Sequence, residues 1–126
     1  VIKRQEVDAM VVHIMDAISG GNHTTGYVNR HLFSPTEGYM VRGKSWSMLV
    51  HDDLLDTYTV RDYIEAHVQH LWNAVVYVDW GYDTEFDRWR IDLAQNLLNP
   101  EYAEALALQQ HERTMFRVAD GKTIWL

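Results

Sequence analysis

The 126-residue chain contains no cysteine. That excludes disulfides, thiolate metal sites and cysteine nucleophiles together, although it does not fix the compartment. Proline is scarce, with two residues in all, and no linker or repeat divides the chain. No apolar run approaches the roughly 18 residues that would mark a membrane-spanning helix. The first residues lack the basic-then-apolar profile of a signal peptide, so a cytoplasmic location is expected and no membrane partner is. The sequon Asn22-His23-Thr24 would matter only in a secreted eukaryotic protein. Positive charge is missing from the middle of the chain. Between Ser45 and Asp87 nine acids stand against Arg61 alone, which is −8 out of an overall −7. Binding to a nucleic-acid backbone needs neutralising Lys and Arg and is therefore not expected. A basic protein partner is the positive implication, with a DNA-mimicking surface as its extreme form and a solvated, solubility-giving face as the plain alternative.

What is present argues for one packed domain over residues 1–126. Hydrophobic residues make up 47%, with five Trp and seven Tyr, a composition opposed to disorder. A chain of this size buries roughly 65% of its unfolded surface without staples. Val7, Met10, Val11, Ile14, Met15 and Ile18 recur on one helical face, and Gly20-Gly21 closes that helix. A short β-like run surrounds Tyr27 to His31, and Ser34-Pro35-Thr36-Glu37 has capping-box spacing that Gly38 limits to one turn. Asp56, Thr57 or Thr59 caps a second helix over about 58–74, burying Val60, Ile64, His67 or Val68, Leu71 and Val75. Val75 to Trp80 and Arg88 to Leu93 read as strands joined by the acidic turn Gly81-Tyr82-Asp83-Thr84-Glu85. Asn99-Pro100-Glu101 starts a third helix running to about Glu112, and Asp120-Gly121 turns a closing hairpin. Helices and hairpins mix without βαβ alternation. The predicted fold is α+β, a mostly antiparallel sheet of hairpins with about three helices on one face.

Residues 38–45, Gly-Tyr-Met-Val-Arg-Gly-Lys-Ser, match the phosphate-loop pattern G-x-x-x-x-G-K-[ST] letter for letter. Such a loop works when small residues let successive N–H groups wrap a phosphate ahead of a helix N-terminus. Here Tyr39, Met40, Val41 and Arg42 are bulky, and Ser45 to Val50 alternates like a strand. A hairpin over 38–51 turning at Gly43-Lys44 is expected instead, and nucleotide binding through Lys44 and Ser45 ranks third among functions.

His51-Asp52-Asp53 and the pair His67 and His70, near Glu65, supply residue types able to hold a divalent metal and its water. A metal-dependent hydrolase using His51, Asp52, His67 and His70 is thus the alternative function. The spacing lacks the H-E-x-x-H geometry, so no catalytic, metal or cofactor residue is assigned and an enzyme is not favoured. Aromatic residues around the acidic turn give the preferred site. Trp80 and Tyr82, with Asp83 and Glu85, are expected to form an exposed binding surface, because Trp and Tyr concentrate at interaction hot spots. Trp89 alternates with Ile91 and Leu93 as a core residue would.

The pattern of Tyr77-Val78-Asp79, Ile91-Asp92, an Ala/Leu-rich helix and a closing Asp-Gly hairpin resembles small accessory proteins of actinobacterial phages and prophages. The resemblance covers about residues 38–126 and carries over no functional residue. It implies a bacteriophage setting and a regulatory or inhibitory role, exerted by binding a host or phage protein. Homodimerisation through a hairpin edge is a further expectation.

Overall fold

The computed structural model describes residues 2–20 and 25–126, so Gly21 and the Asn22-His23-Thr24 sequon lie outside the described residues. Helix α1 (Arg4–Ser19) buries Val7, Met10, Val11 and Ile14, the face its periodicity marks. Its start is held by Glu6, whose carboxylate accepts from the Lys3 N–H and pairs with Arg30 at 3.0 Å. Those two interactions, the Lys3 bond first, keep the Glu6 carboxyl below its ordinary value.

The second predicted helix is broken. Helix α2 (Thr57–Ala66) stops at His67, and α3 (Val68–Leu71) resumes for one turn. Asp56 is the cap, accepting from the Thr59 N–H at 2.8 Å. Val60, Tyr63, Ile64 and Leu71 are buried, whereas Val75, expected in that face, lies beyond the helices and is exposed. Helix α4 (Pro100–Gln109) begins at Asn99, whose side chain accepts from the N–H groups of Glu101 and Tyr102, and it ends short of Glu112. Ser34 to Glu37 forms no helix.

Seven strands form one antiparallel sheet: β1 (Gly26–Val28), β2 (Tyr39–Arg42), β3 (Met48–His51), β4 (Val76–Asp83), β5 (Arg88–Leu97), β6 (Thr114–Arg117) and β7 (Lys122–Trp125). The fold is α+β, as expected. The order is β1-β4-β5-β2-β6-β7, with β3 also beside β5. Both β4 and β5 run further than their apolar cores suggested, so Asp79 lies inside a strand rather than closing one. The C-terminal hairpin forms, with Arg117 opposite Lys122, and its loop is therefore 118–121 rather than two residues. Gly121 supplies a positive φ of 68° there.

The hairpin expected at 38–51 does not form. β2 pairs with the second half of β5 (Arg42 opposite Ala94), and β3 pairs with the first half (Met48 opposite Ile91). Residues 39–51 are thus one strand lying along β5 and interrupted at 43–47. The Gly43 N–H still bonds the Leu93 carbonyl at 3.1 Å, and Lys44–Trp46 coils into a single 3₁₀ turn. Alternation alone could not separate these arrangements, because an extended run looks the same whether it meets its neighbour or a remote strand. Gly43 has a different task from the one expected. Any Cβ there would overlap the indole of Trp46.

Strand alternation divides the sheet into two faces. Val78, Trp80, Trp89, Ile91 and Leu93 meet α1, α2 and Leu71 in the main core. Val41 meets Ala103 and Ala107 of α4 in a second cluster. On the opposite face, Tyr27 of β1 packs against Phe116 of β6 with ring centroids 5.9 Å apart. Those strands are four steps apart in the sheet, roughly 19 Å if it were flat. The sheet is therefore strongly curled, and its helix-free face is concave.

Candidate functional site

Four strands, β1, β2, β4 and β5, bring ionisable side chains into that concavity. Registry sets Tyr27 opposite Asp79 and Asp79 opposite Asp92, with Arg90 opposite Gly81. Residues at alternate positions share a face, so Tyr27, Asp79, Arg90 and Asp92 all turn away from the apolar core. Arg42 joins them from β2, opposite Ala94. Together with Thr25, Met40, Thr114, Phe116 and Thr123, the residues Tyr27, Arg42, Asp79 and Arg90 line a cavity of about 270 Å³.

The charges are not equivalent. Asp92 is fully buried and saturated: it accepts from the Ser47 hydroxyl and from Arg90 Nε at 2.7 Å. Arg90 is thereby committed, and its guanidinium lies across Gly81, where a Cβ would come within 3.1 Å of Nη2. Asp79 is 4% exposed. Among the described residues, no hydrogen bond or ion pair joins the Asp79 carboxyl or the Arg42 guanidinium to another side chain. Burial pushes the Asp79 carboxyl up to about 7, against the pull of Arg90 and Arg42, with Asp92 and Glu112 adding to the rise. Burial, and secondarily Asp79, also pushes the Tyr27 phenol up, so that it stays neutral. A buried carboxyl that holds its proton near neutrality, beside an uncommitted guanidinium, can donate, accept or exchange a proton with a bound molecule.

The predicted binding surface is rearranged. Trp80 was expected to be exposed; it is 3% exposed, because β4 turns it into the core, against the edge of His13 and beneath Gly26. Tyr82 is half-buried and packs edge-on against Trp89 at 5.3 Å. Asp83 accepts from the N–H groups of Glu85 and Phe86, and so shapes the turn. Glu85 is exposed, and so is its neighbour Phe86, at 61%.

The other candidates do not converge on one site, although the His67 and His70 rings lie 6.4 Å apart. Residues 38–45 form a strand and the start of the 3₁₀ turn with no α-helix behind them, so they do not make a phosphate nest. His51 Nδ1 accepts from the Asp53 N–H, and Asp52 accepts from the Trp89 indole at 2.7 Å. His67 bonds the Tyr63 carbonyl, and His70 lies against Trp46. Among the described residues, no group of three or more His, Asp or Glu side chains is placed to hold a metal ion, and no helix is long and apolar enough to cross a membrane.

The comparisons with known proteins assign no relative. No family model matches the chain, and no curated protein or solved structure matches it.

The cavity residues were overlooked because each looked ordinary alone. The available signal was Asp79 and Asp92, two acids inside otherwise apolar strand runs, where an ionisable group needs a partner.

Proposed function

We propose that the protein binds a small polar molecule in the concave cavity. The observation that carries this reading is Asp79, a buried carboxyl lining a cavity of about 270 Å³ beside Arg42. Enclosed sites with a few converging polar groups and a perturbed carboxyl are the usual form of a ligand site. Apolar contact comes from Met40 and Phe116, and hydroxyls come from Thr25, Thr114 and Thr123. The test is a ligand-observed NMR screen with small polar fragments, followed by amide shift mapping. Shift changes centred on Thr114, Phe116 and Thr123 are expected. Hits that shift only residues outside the cavity would defeat the reading.

A second reading has its own observation. Phe86 stands exposed between Glu85 and Asp87 at the tip of the β4–β5 turn, an apolar anchor in an acidic rim. This arrangement supports binding of a basic protein partner, the regulatory or inhibitory role that the phage-accessory resemblance implies. Capture of a basic host protein should weaken with salt and be lost in Phe86→Ala. Salt-independent capture that survives the substitution counts against it. Pairing of a second copy along the free edge of β7, beside the exposed Trp125, is the form a homodimer would take. A dimer in solution that Thr123→Pro dissociates supports that form; one unaffected by the substitution rules it out.

A further inference from the structure

The cavity has a definite balance of charge, and that balance selects a ligand class. Arg90 and Asp92 cancel in their own ion pair. Among the described residues lining the cavity, Arg42 remains as the uncommitted cation, while Asp92 and Glu112 lie close enough to Asp79 to raise its proton affinity. Among the described residues lining the cavity, a dianion would meet one guanidinium not already paired, whereas a monoanion is matched by Arg42 alone. The neutral polar lining groups, the Tyr27 phenol and the hydroxyls of Thr25, Thr114 and Thr123, can each donate to an anion.

We propose that the cavity takes a small monocarboxylate, paired with Arg42 and hydrogen-bonded to the protonated Asp79 carboxyl, so that binding draws a proton into the site wherever Asp79 is otherwise ionised. This rests on the small-ligand reading above and specifies its chemistry. A carboxylate arriving beside a carboxylate is repelled, but beside a carboxylic acid it accepts a short, charge-assisted hydrogen bond. No bond is broken: the proton comes from solvent, stays on Asp79 and points at the ligand oxygen. The groups facing Asp79 are few: Tyr27 from β1, Arg42 from β2, Arg90 and Asp92 from β5, Glu112 from the α4–β6 connection, and Tyr63 from the helical side. Burial pushes the Asp79 carboxyl itself up to about 7.

The experiment is calorimetric titration of the whole chain with acetate, benzoate and 4-hydroxybenzoate at about pH 6 and about pH 8, in buffers of different ionisation enthalpy. Inorganic phosphate and a neutral analogue, benzamide, serve as further arms. At least one carboxylate is expected to bind about tenfold more tightly at the lower pH, since the protonated fraction of Asp79 changes about that much. Uptake approaching one proton per ligand should accompany binding near pH 8. Asp79→Asn keeps a hydrogen-bond donor and should bind with no pH dependence. Arg42→Gln, with folding checked by circular dichroism, should lose about tenfold or more at both pH values. Carboxylate binding without proton uptake, or preference for phosphate, overturns the proposal and leaves the small-ligand reading standing. Binding of benzamide alone does the same. If no carboxylate, phosphate or amide binds the wild type and the fragment screen is also empty, both fall.

Discussion

Asp79 and Asp92 stand directly opposite one another on β4 and β5, and both are buried. Like charges in such a cross-strand pair oppose folding. The two carboxyls resolve the conflict unequally. Asp92 takes the ion pair with Arg90 and the Ser47 hydroxyl, while burial first, and Asp92 to a lesser extent, raises the proton affinity of Asp79.

A stability profile with an unusual slope follows. The folded Asp79 titrates at about 7 and the unfolded group at 3.8. Between those values the folded state binds the extra proton, so stability falls as pH rises through that window. Asp79→Asn should flatten this part of the profile and be the more stable protein at about pH 8, by at most about 4 kcal/mol. Asp120, held at about 2 by Arg117, acts in the opposite sense and only below its ordinary value of 3.8. Melting curves from about pH 5 to about pH 8 decide the matter: parallel profiles for the two proteins would show that Asp79 is not the group responsible.

The aromatic residues of the β4–β5 hairpin separate by effect. Trp80→Ala empties a core position and should cost about 3–5 kcal/mol in urea unfolding. Phe86→Ala removes an exposed ring and should stay within about 0.5 kcal/mol of wild type. A partner-binding assay is therefore interpretable with Phe86→Ala and confounded with Trp80→Ala. Similar losses for the two would contradict the burial described above.

Gly43→Ala should destabilise by about 1–3 kcal/mol, because the new methyl meets the Trp46 indole and the 3₁₀ turn must shift to admit it. Tryptophan emission and the urea midpoint report this together. Combining Gly43→Ala with Trp46→Ala should cost less than the sum of the two single changes, and full additivity would mean that the two residues do not touch.

Much of the fold was legible where local chemistry decides. The face of α1 and the caps at Asp56 and Asn99 are set by residues within a turn of one another. The missing pieces depend on remote partners. Nothing near Gly43 says that β2 and β3 will both lie along β5, since the pairing residues are some fifty and forty positions away. Trp80 reads as exposed beside an acidic turn until β4 is extended to Asp83, which sets the phase of its alternation. The cavity was illegible for the same reason. Arg42, Asp79 and Phe116 come from three separate regions and meet only because the sheet curls.

The order of the sheet also bears on how the chain can be made. β1 pairs with β4, β3 with β5, and β2 with β5 and β6, so none of the first three strands pairs with another of the three. During synthesis from the N-terminus, every strand before Val76 must wait for residues not yet added. A fragment ending at Val75 should therefore show the helicity of α1 and α2 and no sheet, with its apolar strand segments open to association. Circular dichroism of that fragment is the check, and a soluble β signal would contradict it. The sheet cannot assemble strand by strand in chain order; it is completed around β4 and β5 once they emerge.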